Sequence, residues 1–320
     1  MSSVAATAQG AGKGAARAAA RRRARKQHTR QHTRQRGTRQ HGAGSTIRRA
    51  GWITYTVLAI VLVVSAFPLY YTLLLGSSDQ VSISQRAIPQ LWPDASIFAG
   101  FADVMASSQI NFWLALTNSL VIAVVVSLAT VLTSTLAGFS FAKLRFPGRD
   151  ALLVFVIATM AVPTQLGVIP MYILMSELAW IGKIHAVIVP ALVSAFGVFW
   201  MTQYLESALP YELIEAARVD GASMLRTFWS IAVPAALPAA SMLGLFVFVM
   251  QWTMFFWPSI VLGSQNPTLP IAVQNLTAGY RDDYSLIMAG VFLVTLPLLL
   301  VFAFVGRQLV AGIMQGAVKG

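Results

Sequence analysis

Three carboxylates, Glu212, Glu215 and Asp220, lie in the stretch ELIEAARVDGA at residues 212–222, between two long apolar runs. Carboxylates at such short spacing could act as a general acid and base or bind a metal ion. Both kinds of site need further groups, such as a buried second carboxylate or a histidine. The chain has only 11 acidic residues and 4 histidines in 320, and no pattern among them supplies such groups. We therefore predict neither a catalytic site nor a metal site.

The composition indicates a membrane protein. Mean hydropathy is +0.68, and 57% of the residues are hydrophobic while only 11% are charged. In ordinary soluble domains about a quarter of the residues are charged. Cysteine is absent, which excludes disulfides, thiolate metal sites and cysteine nucleophiles.

The net positive charge of the chain comes from its first 50 residues. Residues 1–50 hold 13 Lys or Arg and no acid, against a net charge of +12 for the whole chain. This segment has too few large apolar residues to offset the entropy of ordering it. We predict a disordered basic cytoplasmic tail over residues 1–50 and a membrane domain over residues 51–320. Retention of the tail in the cytoplasm by its charge is favoured over binding to RNA or anionic lipid, and no specific nucleic-acid partner is predicted.

Six windows without charged residues follow the tail. They lie at about residues 52–75, 112–141, 151–175, 184–204, 236–262 and 284–306. Each is long enough to cross ~30 Å of hydrocarbon at 1.5 Å per residue, so we predict an all-α polytopic membrane protein with six transmembrane helices. No ionisable side chain lies well inside a window, although proton relays and many ion-coupled carriers need one there. The energy source is therefore expected in another chain.

The distribution of Lys and Arg predicts the orientation. If the N-terminus is cytoplasmic, the inner segments carry 20 of these residues, and the outer loops carry only Arg86, Lys183 and Arg281. Because cytoplasmic loops are enriched in Lys and Arg, both termini are predicted to be cytoplasmic. Residues 205–235, which contain the three carboxylates, then form a cytoplasmic loop.

A short helix is predicted within this loop, over about residues 210–219. Pro210 suits the first turn, and Gly221 can adopt the left-handed conformation that ends a helix. Ala216 and Ala217 would leave one side nearly bare, so that another protein could approach the backbone closely.

Two further expectations concern the same loop. Glu215 and Arg218 are spaced to pair at i, i+3. A second amphipathic piece, beginning near Met224, is predicted to end before Pro234 and Pro238, which would restart the next span. An interfacial helix pair that merely caps the bundle remains the alternative to a docking site.

The loop resembles the EAA motif of the permease subunits of ATP-binding cassette (ABC) importers. The matching residues are Glu215-Ala216-Ala217, Asp220-Gly221-Ala222, Ile231 and Pro234. The resemblance extends over nearly all of residues 52–320 and is nearest to the sugar-importing branch. It includes the segments NSLVIAVVVSLATVLTSTLAGFSFAKLRFPGR and VPTQLGVIPMY and the C-terminal GRQLVAGIMQGAVKG.

The resemblance implies a type I ABC importer permease fold in the bacterial inner membrane. It implies that the loop docks on a dimer of cytoplasmic ATPases, which would use ATP and Mg²⁺, with no cofactor bound by this chain. The docking residues would be Glu215, Ala216, Ala217, Asp220, Gly221 and Ala222. It further implies a second homologous permease subunit and an extracytoplasmic solute-binding protein that delivers a carbohydrate. The binding protein would contact the loop at residues 263–283, and residues 315–320 would reach the ATPases.

Candidate residues for the solute path are polar or aromatic and lie in the predicted spans. Relatives often carry Trp-Asn and an acid in the fifth span, where this chain has Gln251-Trp252-Thr253. Sugars favour aromatic faces and neutral hydrogen-bonding groups, which selects Asn118, Gln251, Trp252 and Thr253. The alternative roles are hydrogen bonding between helices and anchoring at the membrane interface.

Three rival functions remain open from the sequence. The first is an importer permease of the same architecture for a non-sugar solute, such as a polyol phosphate or a polyamine. The second is an ATP-independent channel or carrier, and the third is a membrane scaffold.

Overall fold

The computed structural model describes residues 51–85, 90–108, 110–277 and 283–317, with side chains as far as Phe304. The predicted basic tail, residues 278–282 of the predicted outer loop and the last three residues lie outside the described part. By internal contacts, residues up to Val63 and residues from Val64 onward form separate units. The packing described below concerns the second unit.

All regular elements of the described part are helical. In chain order they are α1 (Trp52–Gly76), α2 (Gln80–Gln85), α3 (Ser96–Ala106), α4 (Phe112–Lys143), α5 (Arg149–Thr159), α6 (Val168–Glu177), α7 (His185–Ala191), α8 (Ala195–Ala208), α9 (Tyr211–Val219), α10 (Met224–Thr227), α11 (Val233–Trp252), α12 (Phe256–Val261), α13 (Leu269–Thr277) and α14 (Tyr284–Ala317). A 3₁₀ turn at Thr164–Gly167 precedes α6, and a π turn at Phe228–Ala232 joins α10 to α11.

Five of these segments are long and apolar enough to cross a membrane. They are Trp52–Gly76, Phe112–Lys143, His185–Ala208, Met224–Trp252 and Tyr284–Phe304. The pair α5 and α6 passes the same test together but bends by 85° at its break. With this pair counted as one broken span, the six predicted spans are confirmed.

The third span is broken at its middle. α5 ends at Thr159, and after Pro163 the chain restarts as the 3₁₀ turn. Pro163 has extended backbone angles, with ψ at 124°. Proline has no N–H to donate and disfavours the helical conformation in the residue before it, so the helix cannot run through this point. Backbone groups freed in this way need partners in the protein or in a water-filled cavity.

The fifth span also differs from its prediction. The piece that begins at Met224 does not end before Pro234, because α10, the π turn and α11 continue as one span to Trp252. Pro234 lies at the start of α11, directly after the π turn. Proline has no N–H to donate, and the wider π turn lets the helix continue past the missing hydrogen bond. The predicted end at residue 262 is also corrected, because the helix stops at Trp252 and a separate short helix, α12, follows.

α4 lies at the centre of the bundle and packs against α8 and α11. Gly138 allows the close approach to α8, because a Cβ atom there would lie 2.7 Å from the Cβ of Met201 and 2.9 Å from the amide nitrogen of Thr202. Small residues at helix contacts let backbones approach in membrane bundles. The surrounding core includes the buried residues Ile122, Val126, Phe139, Met201, Leu205 and Leu243. This core holds the loop between α8 and α10 in place.

Candidate functional site

The predicted loop helix is present as α9, Tyr211–Val219, with Pro210 at its N-cap. Its C-terminus is a Schellman motif, in which two successive amides bond back to carbonyls of the last turn. The amide of Gly221 donates to the carbonyl of Arg218 at 3.0 Å, and the amide of Ala222 donates to the carbonyl of Ala217 at 2.9 Å. Gly221 has φ +75°, the left-handed conformation that a glycine adopts without steric cost. The sequence prediction of both ends of this helix is confirmed.

α9 is attached to the bundle by one apolar side chain and one aromatic contact. Ile214 is fully buried in the core and shares it with Leu209 and Phe228, which flank the loop in sequence. The guanidinium of Arg145 lies 5.5 Å from the centre of the Tyr211 ring, within the range of a cation–π interaction. Ile214 in the core and the contact of Tyr211 with Arg145, which lies in the turn after α4, therefore hold α9 against the bundle.

The end of α4 supports the same region. The Nζ of Lys143 donates a hydrogen bond to the carbonyl of Glu206 at 3.1 Å, although the side chain is only 7% exposed. The rings of Phe139 and Phe228 lie 5.7 Å apart. These contacts tie the last turn of α4 to the segments before and after α9.

One face of α9 is open. Glu212, Leu213, Ala216 and Val219 are all exposed, and Val219 is 88% exposed. Their spacing places them along one side of the helix. This open face, defined by these four residues, presents two apolar side chains and a bare alanine with a carboxylate at its N-terminal end.

Two sequence expectations for α9 are corrected. Ala217 does not contribute to a bare outer side, because it is 7% exposed and faces the bundle with Ile214. Glu215 and Arg218 form no ion pair; among the described side chains the only pair within 4 Å is Arg149 with Asp150. An exposed pair contributes little free energy, and holding two long side chains in one geometry costs entropy.

Asn118, the first candidate for the solute path, is occupied by contacts between segments. Its Nδ2 donates to the Oδ1 of Asn266 at 2.7 Å and to the carbonyl of Pro267 at 2.9 Å. The neighbouring Ser119 accepts a hydrogen bond from the amide of Leu269 at 2.8 Å. The side chain of Asn118 is 6% exposed. It therefore anchors the segment before α13. This is the alternative role given above for such residues, a hydrogen bond within the protein instead of a contact with solute.

Trp252 and Thr253 line one cavity of about 490 Å³. The cavity lies between the end of α11, α13 and α14, and its other polar lining residues are Gln274, Thr277 and Thr295. Trp252 is buried and stacks on Phe248 at 5.6 Å. The sequence did not point to the three other polar residues, because they come from distant segments with no shared motif.

Gln251 does not line this cavity. Its Oε1 is buried and has no hydrogen-bond partner among the described residues. A buried acceptor without a partner is costly.

The described residues also contain no group of three or more His, Asp or Glu side chains that could hold a metal ion.

The family described as the inner membrane component of binding-protein-dependent transport systems matches residues 132–314. This match covers more than half of the chain, including α9. The chain belongs to this family. The importer permease has α9 in the loop between its fourth and fifth spans, where the resemblance to the EAA motif placed it.

Relatives of this importer permease include two whose names state a sugar. The lactose transport system permease protein LacG of Rhizobium radiobacter is 32% identical over 83% of this chain and 96% of its own. The arabinooligosaccharides transport system permease protein AraQ of Halalkalibacterium halodurans is 28% identical over 84% of this chain and 96% of its own.

A solved structure has the same fold as the importer permease. It is a chain of a bacterial ABC transporter involved in the import of the acidic polysaccharide alginate, with a TM-score of 0.65 and 19% identity. The alignment covers 80% of this chain and 94% of that one. The similarity shows the fold, and it agrees with the all-α permease architecture predicted from the sequence.

Proposed function

We propose that this permease forms part of the translocation path of an ATP-driven carbohydrate importer and is coupled to cytoplasmic ATPases through α9. The observation that carries the proposal is the open face of α9. This face lies on a helix that begins after Pro210, is closed at its C-terminus by the Schellman motif and is fixed to the core by Ile214. A rigid helix with exposed Leu213 and Val219 suits insertion into a complementary cleft of another protein.

The orientation in this proposal has both termini in the cytoplasm. The loop regions on the side of α9 carry Lys143, Arg145, Arg149, Arg218 and Arg226. Cytoplasmic loops are enriched in such residues, so the open face of α9 would meet a cytoplasmic partner.

The remaining partners follow from the family. A second homologous permease subunit would complete the path, and an extracytoplasmic solute-binding protein would deliver the carbohydrate to the face that carries α13. This chain would bind no cofactor, and the ATPase dimer would bind ATP and Mg²⁺. The names of the relatives LacG and AraQ support a carbohydrate as the solute.

The proposal is tested by copurification. The tagged chain is expressed with its chromosomal neighbours and purified in detergent, and a nucleotide-binding ATPase is expected to co-elute. Val219→Glu is expected to remove the ATPase, because it places a charge on the open face at a residue whose side chain makes little contact with its own bundle. Leu91→Glu, at an equally apolar and 71% exposed position outside the loop, is the matched control. Failure of any ATPase to co-elute from wild type would contradict the proposal.

The rival functions give different results in flux measurements. A channel or carrier that needs no ATP predicts solute flux from this chain alone in liposomes. A permease for a polyol phosphate or a polyamine predicts that the ATPase activity of the purified complex responds to those solutes and to no sugar.

A further inference from the structure

Three threonines line the cavity between α11, α13 and α14, and each donates its hydroxyl proton within its own helix. The Oγ1 of Thr253 donates to the carbonyl of Val249 at 2.9 Å. The Oγ1 of Thr277 donates to the carbonyl of Gln274 at 2.6 Å, and that of Thr295 donates to the carbonyl of Val291 at 2.8 Å. Since a hydroxyl has one proton and two acceptor lone pairs, these three oxygens can only accept further hydrogen bonds.

The rest of the lining completes a particular chemical surface. Gln274 adds an exposed amide, which can donate and accept, and Trp252 and Phe255 add aromatic surface. None of the described residues that line the cavity is charged. The cavity has room for a small solute, since pockets of ~300–1,000 Å³ are typical of ligand sites.

We infer that this cavity is a subsite for an uncharged solute rich in hydroxyl groups, held by the threonine oxygens as acceptors and by the aromatic surface. The inference rests on the proposed function, because it names the class of solute that passes the end of α11. The hydroxyl groups of a sugar can donate hydrogen bonds to the three threonine oxygens, which have free acceptor lone pairs. The apolar faces of a sugar ring suit an aromatic wall.

The same surface disfavours charged solutes. A phosphate presents only acceptors, whereas the threonine protons and the Trp252 N–H are already donated to carbonyls. Among the described lining side chains only the Gln274 amide could donate to it. A polyamine would lose hydration of its ammonium groups without gaining a carboxylate among the described lining residues, which is costly. The subsite therefore selects neutral polyhydroxylated solutes over a polyol phosphate or a polyamine.

The test uses the absence of cysteine from the chain. Gln274→Cys introduces a single thiol at the cavity, and its rate of reaction with N-ethylmaleimide is measured on the full chain in lipid nanodiscs. Lactose and arabinotriose are added up to their solubility limits, and glycerol 3-phosphate and spermidine are added at matched concentrations. Leu91→Cys, which lies outside the cavity and is 71% exposed, is the control for general effects of the additives on the reagent.

At least one neutral sugar is expected to slow the labelling of Gln274→Cys, and the two charged solutes are expected to have no effect. In the same background, Thr295→Val should raise the half-protecting sugar concentration roughly fivefold, the effect of one neutral hydrogen bond. Thr295→Ser should restore the original value. Thr117→Val should leave it unchanged, because Thr117 donates to the carbonyl of Trp113 at 2.8 Å in the same way but lies outside the cavity.

Absence of protection by either sugar, or equal protection by glycerol 3-phosphate, would overturn the inference. An unchanged half-protecting concentration in Thr295→Val would contradict the role of the threonine oxygens as acceptors for the solute. Because labelling needs no ATPase, this result is independent of copurification. If a sugar protects but no ATPase co-elutes, the proposed coupling is contradicted and the subsite is supported. If an ATPase co-elutes but no sugar protects, the subsite is contradicted and the coupling is supported.

Discussion

The amide of Ala222 donates a hydrogen bond to the carbonyl of Ala217 at 2.9 Å and so closes the C-terminus of α9. This bond requires the residue before Ala222, Gly221, to reverse the chain at φ +75°. The carbonyl of Ala217 is satisfied by it, while the side chain of Ala217 packs against the bundle. Ala217 and the glycine four residues beyond it therefore serve one local structure, the C-terminus of α9.

Gly221→Ala is expected to destabilise the end of α9 by about 1–2 kcal/mol, the cost of a left-handed conformation for an L-residue. Hydrogen exchange at the amides of residues 220–222 should become faster, and the yield of co-eluting ATPase should fall. The matched control is Gly263→Ala, because Gly263 also has positive φ, at +65°, directly beyond the end of a helix, and a Cβ at either position meets no neighbour within 4 Å. An equal loss of ATPase in both variants would indicate general backbone strain instead.

The contact between Arg145 and Tyr211 is expected to contribute about 0.5–1 kcal/mol to the free energy of unfolding. A double-mutant cycle with Arg145→Gln and Tyr211→Leu, measured by thermal unfolding in detergent, isolates this coupling. Additive effects of the two substitutions would mean that the contact does not hold α9.

Asn118 is expected to contribute to stability and not to the choice of solute. Asn118→Leu leaves the Oδ1 of Asn266 and the carbonyl of Pro267 without their donor, at a cost of roughly 1–3 kcal/mol, so Tm should fall. Gln274→Leu, at an exposed amide, should leave Tm unchanged. Asn118→Leu in the Gln274→Cys background should leave protection by sugars unchanged. A normal Tm with altered solute preference in Asn118→Leu would restore Asn118 to the solute path.

Gly138→Ala is expected to destabilise the bundle by roughly 1–3 kcal/mol, the range for overpacking a close contact. The added Cβ would lie 2.7 Å from the Cβ of Met201 and 2.8 Å from its carbonyl carbon, and rigid backbone cannot give way. Gly167→Ala is the control, because nothing lies within 4 Å of a Cβ there and its φ is −86°. Equal Tm values for the two variants would contradict the packing of α4 on α8.

The spans and the loop helix could be predicted because their signals are local. Charge-free windows indicate how many spans there are, although the fifth span lies at Met224–Trp252 instead of residues 236–262. Pro210 and Gly221 mark the two ends of α9, whose predicted bounds lie within a residue of those observed. Pro163 was visible in the sequence, but whether a proline kinks a helix or breaks it depends on partners from other segments. The continuation of the fifth span through Pro234 likewise depends on the π turn before it, which no sequence pattern announces.

The candidate path was harder to predict because it depends on contacts distant in sequence. Asn118 and its partner Asn266 are 148 residues apart, so the sequence could not show that both protons of the Asn118 Nδ2 are already donated. Trp252 and Thr253 could be selected because they are an aromatic and a polar residue in a predicted span. Thr277 and Thr295 reach the same cavity only through the packing of α13 and α14.

The most direct test of the central claim is a crosslink from the open face of α9. Ala216→Cys would be the only thiol in a chain that has no cysteine, and it is exposed on that face. After treatment of membranes with a short crosslinker that joins a thiol to an amine, mass spectrometry should identify an adduct with the ATPase subunit. The account predicts this adduct for Ala216→Cys and none for Leu91→Cys. An intact complex that gives no ATPase adduct from Ala216→Cys, or gives one equally from Leu91→Cys, would contradict it.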